Sequence, residues 1–130
     1  MIMKSLIKVI TLATGLLLSV NTLSNDGYLE TWSCVLTDGH TLDDVREANS
    51  NWVSFMKENV DAGITSHILV SVVGNSDPEA FSYIDFFPSL EAWQDQEQIS
   101  KNSEEALALN AALTEVNFCD QNRLWEAEES

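Results

Sequence analysis

The feature that most constrains this chain is the order in which two hydrophobic periods follow one another. A strand on a half-buried sheet repeats every two residues, whereas a surface helix repeats about every 3.6. Tyr28–Leu36 (YLETWSCVL) is aromatic and β-branched and alternates as a strand does. Thr37-Asp38-Gly39-His40 is turn chemistry. Thr41 then opens a helix, and Asp44, three residues on, completes an acidic variant of the capping box. Leu42, Val45, Asn49, Trp52, Met56 and Val60 fall on one helical stripe, widened by Ala48, Val53 and Phe55. Asp61-Ala62-Gly63 ends that helix.

Ile64–Val73 (ITSHILVSVV) carries the strongest strand signal in the chain. Gly74–Glu79 (GNSDPE) is a turn, and Ala80–Phe87 (AFSYIDFF) is a third strand that should pair with the second. Pro88 stops it, and Ser89 can cap a helix that begins at Leu90 and weakens at Ser100-Lys101-Asn102. Ser103 can cap a renewed helical run, Glu104–Val116, and Phe118–Glu126 (FCDQNRLWE) reads as a last strand. The order is β-α-β-β-α-β. It predicts a ferredoxin-like α+β fold, a four-stranded antiparallel sheet with its helices on one face. The strands then lie in the order 4-1-3-2.

That order gives the two cysteines a meaning. Cys34 falls late in the first strand and Cys119 early in the last, and antiparallel neighbours bring those positions together. A Cys34–Cys119 disulfide is therefore expected. A regular ladder running from that pair places Trp32 opposite Gln121, Glu30 opposite Arg123 and Tyr28 opposite Trp125. Glu30 and Arg123 are then expected as an ion pair.

The first residues suggest where such a bond would form. Lys4 and Lys8 precede an apolar stretch, Val9–Val20, and Thr22 and Ser24 suit a signal peptidase. Residues 1–24 are therefore expected to be a signal peptide, and residues 25–130 a single domain in the periplasm or outside the cell. The apolar stretch, about 12 residues, is too short to cross a hydrocarbon core of roughly 30 Å. After cleavage, four basic residues (Arg46, Lys57, Lys101 and Arg123) stand against all 21 acidic ones. A surface of that sign repels phosphate, so neither nucleic acid nor an anionic membrane is an expected partner.

Hydrophobicity divides the strand residues between two faces. Leu29, Val35, Ile64, Ile68, Val70, Val72, Ile84, Phe86, Phe118 and Leu124 suit the surface under the helices. The other face would carry Tyr28, Glu30, Trp32, His67, Leu69, Tyr83, Asp85, Phe87, Gln121, Arg123 and Trp125. That mixture is too aromatic for water and too polar for a monomer core. A second sheet packed against it, in a homodimer, is the natural cover.

The β-α-β-β-α-β order, together with Phe86–Trp93 (FFPSLEAW), resembles the dimeric α+β barrel superfamily. This includes antibiotic-biosynthesis monooxygenases, stress-responsive barrel proteins and haem-degrading monooxygenases. The resemblance implies a pocket between helices and sheet, served by a Trp, an Asn and often a His on or near the second helix. Trp93 and Asn102 match that pattern, whereas no His lies between Leu90 and Val116.

The candidate pocket residues are His67, Tyr83, Trp32, Arg123, Glu30, Asp85, Trp93 and Asn102. His67 would be a proton-transfer group near Tyr83 and Asp85, or a hydrogen-bonded interior histidine. His40 reads as an exposed turn residue and Trp52 as core. No metal-ligand spacing, nucleophile motif or phosphate loop is present, and neither a metal nor a cofactor is expected. The leading reading is a dimer that binds a small, largely apolar molecule, with cofactor-independent monooxygenase-like chemistry as its catalytic form. A non-catalytic interaction or assembly protein is the alternative, and a haem-handling protein the third.

Overall fold

A computed structural model describes residues 26–74 and 77–130. The signal-peptide segment, residues 1–24, lies outside the described residues. The elements are β1 (Gly27–Leu36), α1 (Leu42–Asn59), β2 (Thr65–Leu69), β3 (Ala80–Phe87), α2 (Leu90–Asn102), α3 (Glu104–Val116) and β4 (Asn117–Ala127). All strand pairs are antiparallel, and the sheet order is β2-β3-β1-β4. This is the ferredoxin-like α+β arrangement, with the second helical region split in two. Among the described residues, no helix is long and apolar enough to cross a membrane.

Local chemistry sets the helix starts. The Thr41 hydroxyl accepts from the Asp44 backbone N–H at 3.4 Å, and the Thr41 N–H donates to the Asp44 carboxylate at 2.8 Å. Those bonds to Thr41, and His40 beside it, hold the Asp44 carboxyl below its usual range. Ser89 caps α2 in the same way, its hydroxyl accepting from Ala92 N–H at 3.1 Å. Ser103 serves two helices. Its N–H donates to Ile99 O at 3.0 Å, closing α2, and its hydroxyl accepts from Ala106 N–H at 3.3 Å, opening α3. Ser103→Ala is expected to lower stability by about 1 kcal/mol, read as a shift of the urea midpoint at constant slope.

Cys34 and Cys119 form the expected disulfide, 85 residues apart in sequence. The ladder beyond it departs from the regular register. A bulge at Ser33/Cys34 leaves Asp120 unopposed, so Ser33 faces Gln121, Thr31 faces Arg123 and Glu30 faces Leu124. One extra residue moves every later side chain of β4 to the opposite face. The expected Glu30–Arg123 and Tyr28–Trp125 pairs therefore do not form.

On β1 and β3 the two faces are exchanged relative to the hydrophobic assignment, whereas Ile64 and Ile68 pack under the helices and His67 and Leu69 face outward, as assigned. Cys34, Phe81, Tyr83 and Phe87 are buried with α1 residues Val45, Ala48, Trp52, Phe55 and Met56. The helices thus cover the mixed face, which also holds Tyr28, Glu30, Trp32 and Asp85. The more apolar face is the open one, with Leu29 opposite Phe86, Thr31 opposite Ile84 and Val35 opposite Phe118. Phe118 and Trp125 are 62% and 47% exposed on it. Hydrophobicity misassigned the faces because the polar side chains under the helices line a cavity.

β2 is shorter than its sequence suggests. It pairs with β3 only from Thr65 to Leu69, and Val72 and Val73 stand exposed beyond it. As an edge strand it has one partner, and β3 starts at Ala80, just after the Asp77-Pro78 turn.

Candidate functional site

A cavity of about 460 Å³ lies between the mixed sheet face and the helices. Its floor is built from β1 and β3. Glu30 and Asp85 are direct cross-strand partners there, only 4% and 6% exposed, and both line the cavity. Cross-strand partners hold their Cβ atoms about 4.5–5.5 Å apart, so two carboxyl groups share one low-dielectric space. Among the described residues, no basic side chain forms an ion pair with either.

Neutral groups satisfy them instead. The Ser66 hydroxyl donates to Asp85 at 2.5 Å, and the Asn49 amide donates to Ser66 at 2.9 Å. The Asn122 amide donates to Glu30 at 3.1 Å. Burial pushes the Asp85 carboxyl up to about 7, with the neighbouring Glu30 charge adding to the rise and the Ser66 bond opposing it. Burial likewise raises Glu30, with Glu97 adding to it, against the Asn122 amide and the indoles of Trp93 and Trp32. The Trp93 indole favours the charged form without meeting hydrogen-bond geometry, and its N–H is buried with no partner.

The walls are aromatic and amide-rich. Trp32, Trp52 and Leu113 supply apolar surface, and Asn110 and Thr114 line the cavity from α3. The Tyr83 hydroxyl donates to Asn117 Oδ1 at 2.6 Å, and the Asn117 amide donates to Cys119 Sγ at 3.3 Å. Burial and then Asp85 raise the Tyr83 phenol well above its usual value, so it stays protonated. Gln96 of α2 donates to Ser100 Oγ at 2.9 Å, while its Oε1, also buried, has no partner.

Of the residues singled out in sequence, the structure gathers Glu30, Trp32, Tyr83 and Asp85 on this cavity. Trp93 packs against the Trp52–Phe87 cluster beside Glu30 without lining the cavity. Asn102 sits exposed at the end of α2, its amide donating to Gln98 O at 2.8 Å. His67 pairs with Ile84 and is exposed on the open face, away from Tyr83 and Asp85. Arg123 is on that face too, its guanidinium 5.7 Å from the Trp125 ring. Sequence reasoning missed Asn49, Gln96 and Asn117 as site residues. Asn49 carried a readable signal, a polar residue inside an apolar helical stripe. Gln96 and Asn117 carried none.

No protein-family model and no curated protein matches the chain. Solved structures do. The cofactor-independent oxygenase SnoaB from Streptomyces nogalater superposes with a TM-score of 0.60 at 10% identity, covering 81% of this chain and 96% of its own. A candidate antibiotic biosynthesis monooxygenase from Chloroflexus aurantiacus J-10-fl gives 0.56 at 14% identity, over 79% and 94%. Another, from Caulobacter crescentus CB15, gives 0.54 at 12% identity, over 82% and 95%. At such identities the likeness is one of fold. The chain shares the ferredoxin-like fold of antibiotic-biosynthesis-monooxygenase-like proteins, as the sequence resemblance implied.

Proposed function

We propose that this chain binds a small, largely apolar molecule in the cavity between helices and sheet, as one subunit of a secreted or periplasmic homodimer. The observation that carries the reading is the cavity itself. Its volume of about 460 Å³ falls within the roughly 300–1,000 Å³ range of small-molecule sites. It joins apolar walls of Trp32, Trp52 and Leu113 to a few buried polar groups, one of them unspent. An interaction or assembly protein needs no such interior, so the cavity weighs against that alternative. Neither histidine lines it, which weighs against haem ligation there.

Dimerisation is supported by the open sheet face. Leu29, Val35, Ile84 and Phe86 share it with the exposed Phe118 and Trp125, and a second copy would cover them by sheet-on-sheet packing. A disulfide suits an oxidising compartment, consistent with removal of residues 1–24 as a signal peptide.

A catalytic version of the same reading rests on Asp85. A buried carboxyl held near 7 is matched to proton abstraction at neutral pH. Glu30, its carboxyl also raised by burial, stands beside it as the cross-strand neighbour on the cavity floor. Cofactor-independent oxygenase chemistry, the activity named for the SnoaB neighbour, would then have molecular oxygen as its oxidant.

Native mass spectrometry of the non-reduced protein tests the binding reading. The expected result is a dimer that retains a bound mass, and Leu113→Trp, which fills the cavity, should keep the dimer and lose the mass. A monomer without retained mass, or a mass indifferent to Leu113→Trp, would sink it.

A further inference from the structure

Every formal charge on the cavity wall is negative. Glu30 and Asp85 lie together on the floor, Glu97 adds a third carboxylate, and among the described residues no Lys, Arg or His lines the space. An independent feature points to the same kind of ligand. Gln96 is 6% exposed and lines the cavity, yet its Oε1 has no hydrogen-bond partner. A buried acceptor left unpaired carries a desolvation cost that only an incoming donor can return.

We propose that the cavity takes an organic cation, a protonated amine on an aromatic or aliphatic body, with its ammonium group held by Glu30, Asp85 and Gln96 Oε1. The inference rests on the reading of the cavity as a ligand site and narrows the class of molecule. An ammonium group has three donors and no acceptor, the complement of two carboxyls and a bare amide oxygen. Trp32, Trp52 and Tyr83 line the same space, and aromatic rings both pack an apolar body and attract a cation. A carboxylate or phosphate ligand would meet three acids and no opposite charge.

The cation also reverses the electrostatics of the floor. Asp85, pushed up to about 7 when the cavity is empty, gives up its proton to pair with the ammonium. The titratable groups around it are Glu30 on β1, Tyr83 on β3 and Glu97 on α2; β2 and α1 bring the uncharged Ser66 and Asn49. Glu97 is further engaged by Lys101 at 3.6 Å, outside the cavity. Amine binding is therefore expected to release a proton near neutral pH and to weaken as the pH falls below about 7.

Calorimetric titration of the full chain with 4-phenylbutylamine, 4-phenylbutanol and 4-phenylbutyrate tests this at pH 8 and at low and high salt. The amine should bind at least about tenfold more tightly than the alcohol, and the acid least. Glu30→Gln and Asp85→Asn should each remove about tenfold of the amine's advantage over the alcohol. If either variant fails to fold, Gln96→Leu and the wild-type ranking decide. An alcohol that matches or outbinds the amine overturns the inference while leaving the cavity as a ligand site. Amine binding that high salt abolishes and neither variant alters also overturns it, because the net negative surface alone would explain it. Binding by none of the three removes both readings.

Discussion

Raising the pH from 4 to 8 is expected to lower the folding free energy of this protein by as much as about 4 kcal/mol through Asp85 alone. The sign follows from the direction of the shift. In the unfolded chain the carboxyl titrates at its ordinary 3.8, and in the folded protein at about 7. Between those values the folded state holds the proton that the unfolded state has released, so stability falls with each step in pH and levels off above about 7. Each tenfold in proton affinity contributes about 1.4 kcal/mol, which sets the size. Glu30, also raised by burial, adds in the same direction. Asp44, whose carboxyl is lowered, acts the opposite way, at pH values below this window. Urea unfolding at pH 4, 6 and 8 is the measurement, with Asp85→Asn as the control. General repulsion among the 21 acids remains in the variant. The wild type should lose stability more steeply across the window. Equal slopes would mean that Asp85 is not raised in the folded state.

Removing the disulfide is the second large effect. Cys34 and Cys119 close a loop of 85 residues, most of the described chain. In the chain-entropy account such a cross-link stabilises by roughly 3–5 kcal/mol, because it restricts the unfolded ensemble. Cys34→Ser with Cys119→Ser should therefore lower the melting temperature by about 15 °C or more. Because Cys34 belongs to the buried cluster with Phe81 and Tyr83, Cys34→Ala with Cys119→Ala separates packing polarity from the lost cross-link. A double variant that melts within a few degrees of wild type would show that packing alone holds β4 against β1.

These two predictions differ in how far they could be read from the residues. The disulfide follows from element order, since any ferredoxin-like sheet sets the first and last strands side by side. The helix starts at Thr41, Ser89 and Ser103 are local chemistry and are equally legible. Asp85 is different. Its sequence environment, alternating aromatic and polar residues in AFSYIDFF, marks a strand but not which face the helices take. Hydrophobicity assigned the helices to Ile84 and Phe86, whereas they cover Tyr83 and Asp85. The rule fails where a protein keeps polar groups inside to line a cavity. His67 keeps the face assigned to it, opposite Ile84, and is parted from Tyr83 and Asp85 because those two turn under the helices. No residue in β2 announces that register. Asn49 shows the opposite case, a polar interruption in an apolar stripe whose meaning becomes plain only when Ser66 and Asp85 stand opposite it.

The bulge at Asp120 reaches further than its one residue. Arg123 is a cation within one strand step of Glu30, and backbone phase alone keeps it on the outer surface. The same composition with a regular ladder would put a guanidinium against the buried carboxyl and neutralise the cavity floor. For chains built this way, the electrical polarity of the interior is a matter of counting. A single-codon insertion or deletion in β4 can invert in one step what would otherwise need several coordinated substitutions.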